Sequence, residues 1–253
     1  MKHFTTILSH EIRMLLVSAS TYIAAVLFLA VMGFIFSGVL ENYSAAAQET
    51  SPAAVFFQLF WLPVFFMVPL LTMKCLAEER RLGTLETLLT APVSSTEVVL
   101  GKYFAAYFLY MLLWVSTGGF FYILNHFAGD ARFLDIGPLV GGYLFIAVSG
   151  LLYVAVGVFA SSLTRNQAVA GIFAFVLVFA LIIGLRFLGT VEVLNLESMK
   201  PLRAAIDYAN AFNHLDDFTS GIVDTRQLLF YVSGSVLALI FSILGVEAKL
   251  IHS

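Results

Sequence analysis

Charge is scarce in this sequence. Of the 253 residues, 11% are charged and 60% are hydrophobic, whereas an ordinary soluble domain has about 25% charged residues. A soluble fold of this length would leave many apolar side chains, including some of the 25 Phe, on its surface. The composition therefore excludes a soluble enzyme and indicates a membrane protein.

Basic charge, cysteine and clustered histidine are also lacking. The formal net charge of −3 provides no basic face for nucleic acid. Cys75 is the only cysteine and cannot form an internal disulfide. The histidines have none of the close spacings of a zinc or haem site, so no metal or directly bound cofactor is predicted. They are His3, His10, His126, His214 and His252.

Six charge-free apolar runs are long enough to cross a bilayer, which takes about 20 helical residues. The runs are continuously apolar, so they predict helices rather than alternating strands. Pro63 and Pro69 predict kinks in the second run. The predicted spans are Thr21–Leu40, Ala53–Met73, Tyr103–Leu124, Ile136–Leu163, Ala168–Leu185 and Gln227–Val246. The sequence therefore predicts an all-α, polytopic membrane protein with a single transmembrane domain over residues 1–253.

Lysine and arginine are distributed unevenly between the two sides, and cytoplasmic segments retain positive charge. With both termini in the cytoplasm, more of these residues lie inside than outside. The inside set is Lys2, Arg13, Lys74, Arg80, Arg81, Lys102, Arg165 and Lys249. The outside set is Arg132, Arg186, Lys200, Arg203 and Arg226. Both termini are therefore predicted to be cytoplasmic.

Residues 1–15 have apolar side chains at helical spacing among charged ones, which predicts an interfacial helix. A secretory signal is the alternative interpretation. Its apolar core has about 7–15 residues, whereas here a full-length span follows the charged stretch. The interfacial helix is therefore favoured.

The cytoplasmic loop Glu78–Glu97 has the most informative sequence. Gly83 permits a sharp break after four charged residues and Leu82, and Thr84–Thr90 can form about two helical turns before Pro92 ends them. Ser94 and Glu97 then have the spacing of a capping box, which predicts the start of the helix containing the third span.

This loop resembles the signature of ABC-2-type transporter permeases. The shared features are the charged quartet, Gly83-Thr84-Leu85-Glu86, a leucine pair, Pro92 and a capped helix with Gly101-Lys102. The resemblance implies a coupling helix that docks on a separate ATPase subunit, whereas the plain alternative is an inner loop whose arginines only set topology. The implied contact residues are Glu78, Glu79, Arg80, Arg81, Gly83, Thr84, Leu85, Glu86, Leu88, Leu89 and Pro92.

A second stretch narrows the resemblance. Phe218, Gly221, Ile222 and Asp224 precede the last span in a pattern similar to permeases of the gliding-motility and nitrous-oxide-reductase-maturation type. The outer segment Gly189–Thr225 would then form helices that dip into the outer leaflet and close the exit. A surface-lying amphipathic loop is the alternative interpretation of this segment.

The resemblance implies partners. The phosphate loop Gly-x-x-x-x-Gly-Lys is absent, so ATP and Mg would bind a partner ATPase subunit. Two permease copies would form the pore, as a homodimer or a heterodimer, in the cytoplasmic (inner) membrane of a bacterium, with export as the expected direction. Periplasmic accessory proteins are further expected partners. The predicted dimer contacts are Gly33, Ser37, Ala170 and Ala174, because the first and fifth spans meet across the dimer in the family.

Two other functions fit the sequence less well. A secondary, ion-coupled transporter needs ionisable residues at mid-membrane, and the spans have none away from their ends. An intramembrane enzyme needs paired catalytic groups, and His126 beside Asn125 has no partner in the sequence pattern. No catalytic residue is therefore predicted. The substrate stays open between lipid, polysaccharide, drug, peptide and a mechanical role.

Overall fold

The structure is a computed structural model that describes residues 3–45, 51–84, 93–127, 135–191, 196 and 199–250. Every regular element within these residues is helical. A π-helical turn at Ala180–Gly184 joins α9 to α10. The α-helices are α1 Phe4–Val17, α2 Ala19–Ala45, α3 Pro52–Gln58, α4 Trp61–Thr72, α5 Ala77–Leu82, α6 Ser95–Ser116, α7 Gly118–Phe127, α8 Ile136–Leu163, α9 Gln167–Phe179, α10 Leu185–Gly189, α11 Lys200–Tyr208, α12 Ala211–Thr219 and α13 Thr225–Leu250.

Six helical stretches among the described residues are long and apolar enough to cross a membrane, which confirms the all-α polytopic fold. They are Ala19–Tyr43, Trp61–Leu82, Ser95–Phe127, Ile136–Leu163, Gln167–Gly189 and Thr225–Ala248. The fourth has the same bounds as the predicted span. We call the end of the bundle that bears α5 the loop end, and the end that bears α11 and α12 the far end. Which end faces the cytoplasm stays a prediction.

The third span begins well before the apolar run that predicts it. Helix α6 starts at Ser95 because Ser94 forms the capping box that the sequence predicts. Ser94 Oγ accepts from the Glu97 backbone N–H at 3.2 Å, and Glu97 Oε2 accepts from the Ser94 backbone N–H at 3.4 Å. The helix therefore begins about two turns before Tyr103, where the predicted apolar span starts.

The second span is interrupted near its first proline. Helix α3 ends at Gln58 and α4 begins at Trp61, so the break lies just ahead of Pro63. Proline has no N–H group and is tolerated only in the first turn of a helix without disruption. Pro69 lies inside α4, which continues past it to Thr72. The span is therefore broken at the first proline and remains helical at the second.

Helix α8 is the centre of the bundle and packs against α6, α9, α12 and α13. Four of its glycines allow this close packing, because a Cβ atom at each of the four would overlap a neighbouring residue. Gly141 faces the Phe218 backbone, Gly142 the Phe57 ring, Gly150 the Tyr110 ring and Gly157 the Thr72 side chain. These four glycines therefore mark the positions along α8 at which the neighbouring helices come closest to it.

Helix α1 packs along the start of α6 at the loop end. It runs from Phe4 to Val17 and has no fully buried residue. A Cβ atom at Gly101 of α6 would lie 2.7 Å from the Ile7 side chain, so the two helices are in close contact there. The predicted N-terminal helix is therefore present and lies against the membrane domain.

The far-end segment contains two short helices that differ in burial. In α11 only Ile206 is buried, whereas α12 buries Phe212, Leu215 and Phe218 against the bundle. Helix α12 contacts α3 and α8. Helix α11 is therefore largely exposed, whereas α12 is part of the packed core. That this segment closes an exit in the outer leaflet stays a prediction.

Replacing Gly141 by Ala is expected to destabilise the docking of α12. The new methyl group would overlap the Phe218 carbonyl oxygen, and overpacking of this kind costs about 1–3 kcal/mol. Gly38→Ala is the matched control, because a Cβ atom there meets nothing within 4 Å. Thermal unfolding of the detergent-purified variants measures the difference. Equal melting temperatures for the two variants would contradict this account of the packing.

Candidate functional site

Helix α5 contains the first residues of the predicted coupling loop. A serine of α8 accepts hydrogen bonds from the backbone N–H groups at its start. Ser161 Oγ, near the end of α8, accepts hydrogen bonds from the backbone N–H groups of Leu76 and Ala77, both at 3.0 Å. The first N–H groups of a helix have no partner within that helix. Because Ser161 is fully buried, it fixes the start of α5 on the end of α8.

Gly83 ends α5 at the break that the sequence predicts. Its backbone has φ 71° and ψ 5°, the left-handed conformation that glycine adopts without steric cost. Two glutamates occupy the first turn of α5 and two arginines the last. Each pair complements the helix dipole at its end, so the order of the four charges favours this short helix.

Lys102 of α6 is a buried cation, with 5% of its side chain exposed. Its Nζ lies 2.7 Å from Glu11 Oε1 of α1 and 2.7 Å from Glu79 Oε1 of α5. We call Glu11, Glu79 and Lys102 the charge cluster. Removing ions from water costs several kcal/mol for each ion, and close partners of opposite charge offset that cost. The cluster therefore holds α1, α5 and α6 in one arrangement.

Arg80 extends from α5 toward two other helices. Its guanidinium donates hydrogen bonds to the Ser162 carbonyl in the last turn of α8 and to the Gly245 carbonyl of α13, the latter at 2.7 Å. The carbonyls of a last turn carry partial negative charge and have no partner within their helix, so a cation beside them is favourable. Arg80 therefore joins α5 to the ends of the fourth and sixth spans.

Glu78 and Arg81 are on the exposed side of α5. They form an ion pair of 3.9 Å, with side chains 35% and 58% exposed. The sequence assigns all four charges of the quartet to contact with a partner. The structure differs for Glu79 and Arg80, because their side chains are bonded within the chain and only Glu78 and Arg81 present charge outward.

The remaining predicted contact residues extend beyond α5. Thr84 is exposed, and its Oγ1 donates to the Glu79 carbonyl at 3.4 Å. Leu85, Glu86, Leu88, Leu89 and Pro92 lie outside the described residues, so their contacts stay a prediction.

The model of the ABC-2 family transporter proteins matches residues 5–247 of this chain. The chain belongs to this family. A search of curated proteins found no match. The family supplies the transmembrane component of an ABC transporter, so this chain is a permease subunit.

A cavity of about 560 Å³ lies beside α5 at the loop end of the permease. Arg81 lines one side, and the turn that joins α8 to α9 lines the other with Arg165, Asn166 and Gln167. Two arginines and several amide groups therefore line one recess, which suits a polar or acidic segment of a partner.

Sequence patterns did not assign a role to Glu11, Lys102, Ser161, Ser162 or Gly245. Lys102 contributes only to the positive-inside count and to the Gly-Lys pair of the resemblance. The position of Lys102 next to an apolar run is a sequence signal for a buried ion pair. A lysine buried there without an acidic partner would be costly. Glu11 in the N-terminal helix is one acidic residue that this signal makes a candidate partner of Lys102.

The far-end motif of the permease forms the turn between α12 and α13. Phe218 is fully buried, and its ring centroid lies 6.0 Å from that of Phe145 on α8. Gly221 has φ 82°, which only glycine adopts readily, and Ile222 is exposed. Asp224 Oδ1 accepts from the Arg226 backbone N–H at 2.8 Å and caps α13. These four residues therefore shape a helix–turn–helix junction.

Side-chain bonds reinforce this junction. Gln227 Nε2 donates to Asp217 Oδ2 at 2.7 Å, and His214 Nδ1 lies 2.9 Å from the Tyr231 hydroxyl. Burial lowers the pKa of His214, which favours the neutral imidazole. Both contacts join α12 to the start of the sixth span.

The predicted dimer contacts are only partly accessible in the permease. Ala170 and Ala174 are fully buried within the chain, so the prediction that they contact a second copy is wrong. They face the interior because α9 packs against α4 and α8. Gly33 is half-buried beside Phe120, whereas Ser37 is exposed. The contact of these two residues with a second copy stays a prediction.

Replacing Lys102 by Met is expected to destabilise the permease by about 3–5 kcal/mol, because it leaves two partly buried carboxylates without their cation. Lys74→Met is the matched control, since Lys74 is half-buried and has no ion pair among the described residues. Adding Glu11→Gln and Glu79→Gln to Lys102→Met should recover most of the loss. Thermal unfolding in detergent measures the difference. Equal melting temperatures for all these variants would show that the charge cluster does not stabilise the fold.

Proposed function

We propose that this permease transmits the movements of a separate ATPase subunit into the membrane through α5. One observation carries the proposal: α5 is bonded to α6 through Glu79, to α8 through Ser161, and to α8 and α13 through Arg80. The partner of Glu79, Lys102, also bonds Glu11 and so connects α5 to α1. A force on this helix would act on four other helices at once. An inner loop that only set topology would not need these buried contacts.

The exposed side of α5 is the proposed docking surface. Glu78 and Arg81 present opposite charges, and Arg165 lies across the adjoining cavity. Complementary charges at a rim set partner choice and register. The loop residues that follow Thr84 would extend the same surface, with leucines packing into the partner as the family resemblance implies.

Several further features belong to the proposal. The ATPase subunit would bind ATP and Mg, because this sequence has no phosphate loop. Two permease copies, identical or related, would form the pathway. The loop end would face the cytoplasm of a bacterium, as the lysine and arginine distribution predicts, and transport would be outward. The exposed apolar faces of α2 and α9 leave room for a second copy or for lipid.

The first test is co-purification. The permease, tagged and extracted from native membranes in mild detergent, is expected to bring a stoichiometric partner that contains a phosphate loop. The eluate should show vanadate-sensitive ATPase activity. A solitary chain without ATPase activity would instead support the secondary-transporter alternative.

Two arginine variants distinguish docking from transmission. Arg81→Glu reverses an exposed charge and is expected to reduce recovery of the ATPase subunit by about tenfold, equivalent to about 1.4 kcal/mol. Arg80→Lys should leave recovery unchanged but alter the vanadate-sensitive ATPase activity of the recovered complex, because a lysine cannot span both carbonyls that Arg80 bonds. Arg226→Glu, at the far end, is the matched control. Identical behaviour of the two loop variants would contradict the division of roles.

A further inference from the structure

A cavity of about 370 Å³ lies at the far end of the bundle and has no assigned role. It is bounded by the break in the second span, by α10 at the end of the fifth span and by α12. Two charged side chains, Arg186 and Asp216, line it together with the aromatic side chains of Trp61 and Phe212. Asn210 and Asn213 also line the cavity. Opposite charges, amide groups and aromatic rings therefore share one recess.

Arg186 stacks on an aromatic ring and forms no ion pair among the described residues. Its Cζ lies 4.1 Å from the ring centroid of Phe212, in a cation–π contact. No carboxylate lies within ion-pair distance of it among the residues that the structure describes. Stacking on a ring leaves the N–H donors of the guanidinium plane available. The cavity therefore offers a preoriented site for an anionic group such as phosphate.

Asp216 gives the same cavity a negative charge. Its Oδ1 accepts a hydrogen bond from Gln58 Nε2 at 3.4 Å, and no basic group lies within ion-pair distance of it in the described parts of the chain. The two charges line one cavity without forming a pair. A ligand that satisfies both must carry a negative and a positive group a short distance apart.

The depth of the cavity indicates where such a ligand comes from. The stretch Gln167–Gly189 has 23 residues, about 34 Å of helix at 1.5 Å per residue, against about 30 Å for the hydrocarbon core. Arg186 lies in its last turn, at the level of the lipid headgroups. Phe187 and Leu188, which follow it, are 68% and 49% exposed. Apolar surface suited to acyl chains therefore adjoins the charged cavity.

We propose that this cavity binds the headgroup of a phosphatidylethanolamine lipid, with its phosphate on Arg186 and its ammonium on Asp216. An anionic phospholipid without an amine would satisfy Arg186 alone. A choline headgroup has no N–H to donate to the carboxylate. This site lies at the opposite end from α5, so the proposal does not depend on the ATPase partner.

Native mass spectrometry of the delipidated permease, titrated with phosphatidylethanolamine or phosphatidylglycerol, tests the site. The unaltered chain should retain phosphatidylethanolamine about tenfold better, equivalent to about 1.4 kcal/mol. Asp216→Asn should abolish this preference while phosphatidylglycerol binding persists. Arg186→Gln should weaken both lipids, and Arg226→Gln, which removes an exposed arginine at the same end, should change neither.

Two results would overturn the proposal. Equal retention of the two lipids by the unaltered chain would mean that Arg186 and Trp61 only anchor the bundle at the interface. An unchanged preference in Asp216→Asn would exclude the carboxylate from the site. Asp216→Asn retains an acceptor for Gln58, and its melting temperature identifies any loss of folding.

Discussion

The ammonium group of Lys102 between two carboxylates is the contact on which the loop end depends. A buried lysine is tolerated only when its charge is paired, and here both partners come from elements outside α6: Glu11 from α1 and Glu79 from α5. Helix α1 has no fully buried residue, and α5 buries only Ala77. One buried charge therefore links both helices to α6, in addition to the contact of Ile7 with Gly101 and the bonds of Ser161 and Arg80.

Adjacent residues of α5 divide the work of attachment. Glu79 bonds toward α6 and Arg80 toward α8 and α13, because successive residues of a helix point in directions about 100° apart. Four consecutive charges therefore supply both inward bonds and an outward face, Glu78 and Arg81. Attachment to the bundle and an outward charged face, the two features of the proposed coupling element, are thus combined in a helix of 6 residues, about 1.7 turns.

Much of the fold could be predicted from the sequence, because long apolar runs permit few alternatives to membrane helices. The rotation of each helix could not be predicted. In α9 nearly every residue is apolar, so the sequence could not show that Ala170 and Ala174 face α4 and α8 rather than a second copy. The pairing of Lys102 was hidden for another reason: Glu11 lies 91 positions away, a contact that no local pattern encodes.

Helix α8 connects the two sites of the molecule. Ser161 and Ser162 at its loop end hold α5, and Gly141 at its far end lies against the backbone of Phe218 on α12. Helix α12 in turn carries Asp216, which lines the far-end cavity. Closely packed helices move as units because their interiors have little free volume. A single helix in contact with both α5 and α12 therefore gives the loop a direct structural route to the cavity at the opposite end.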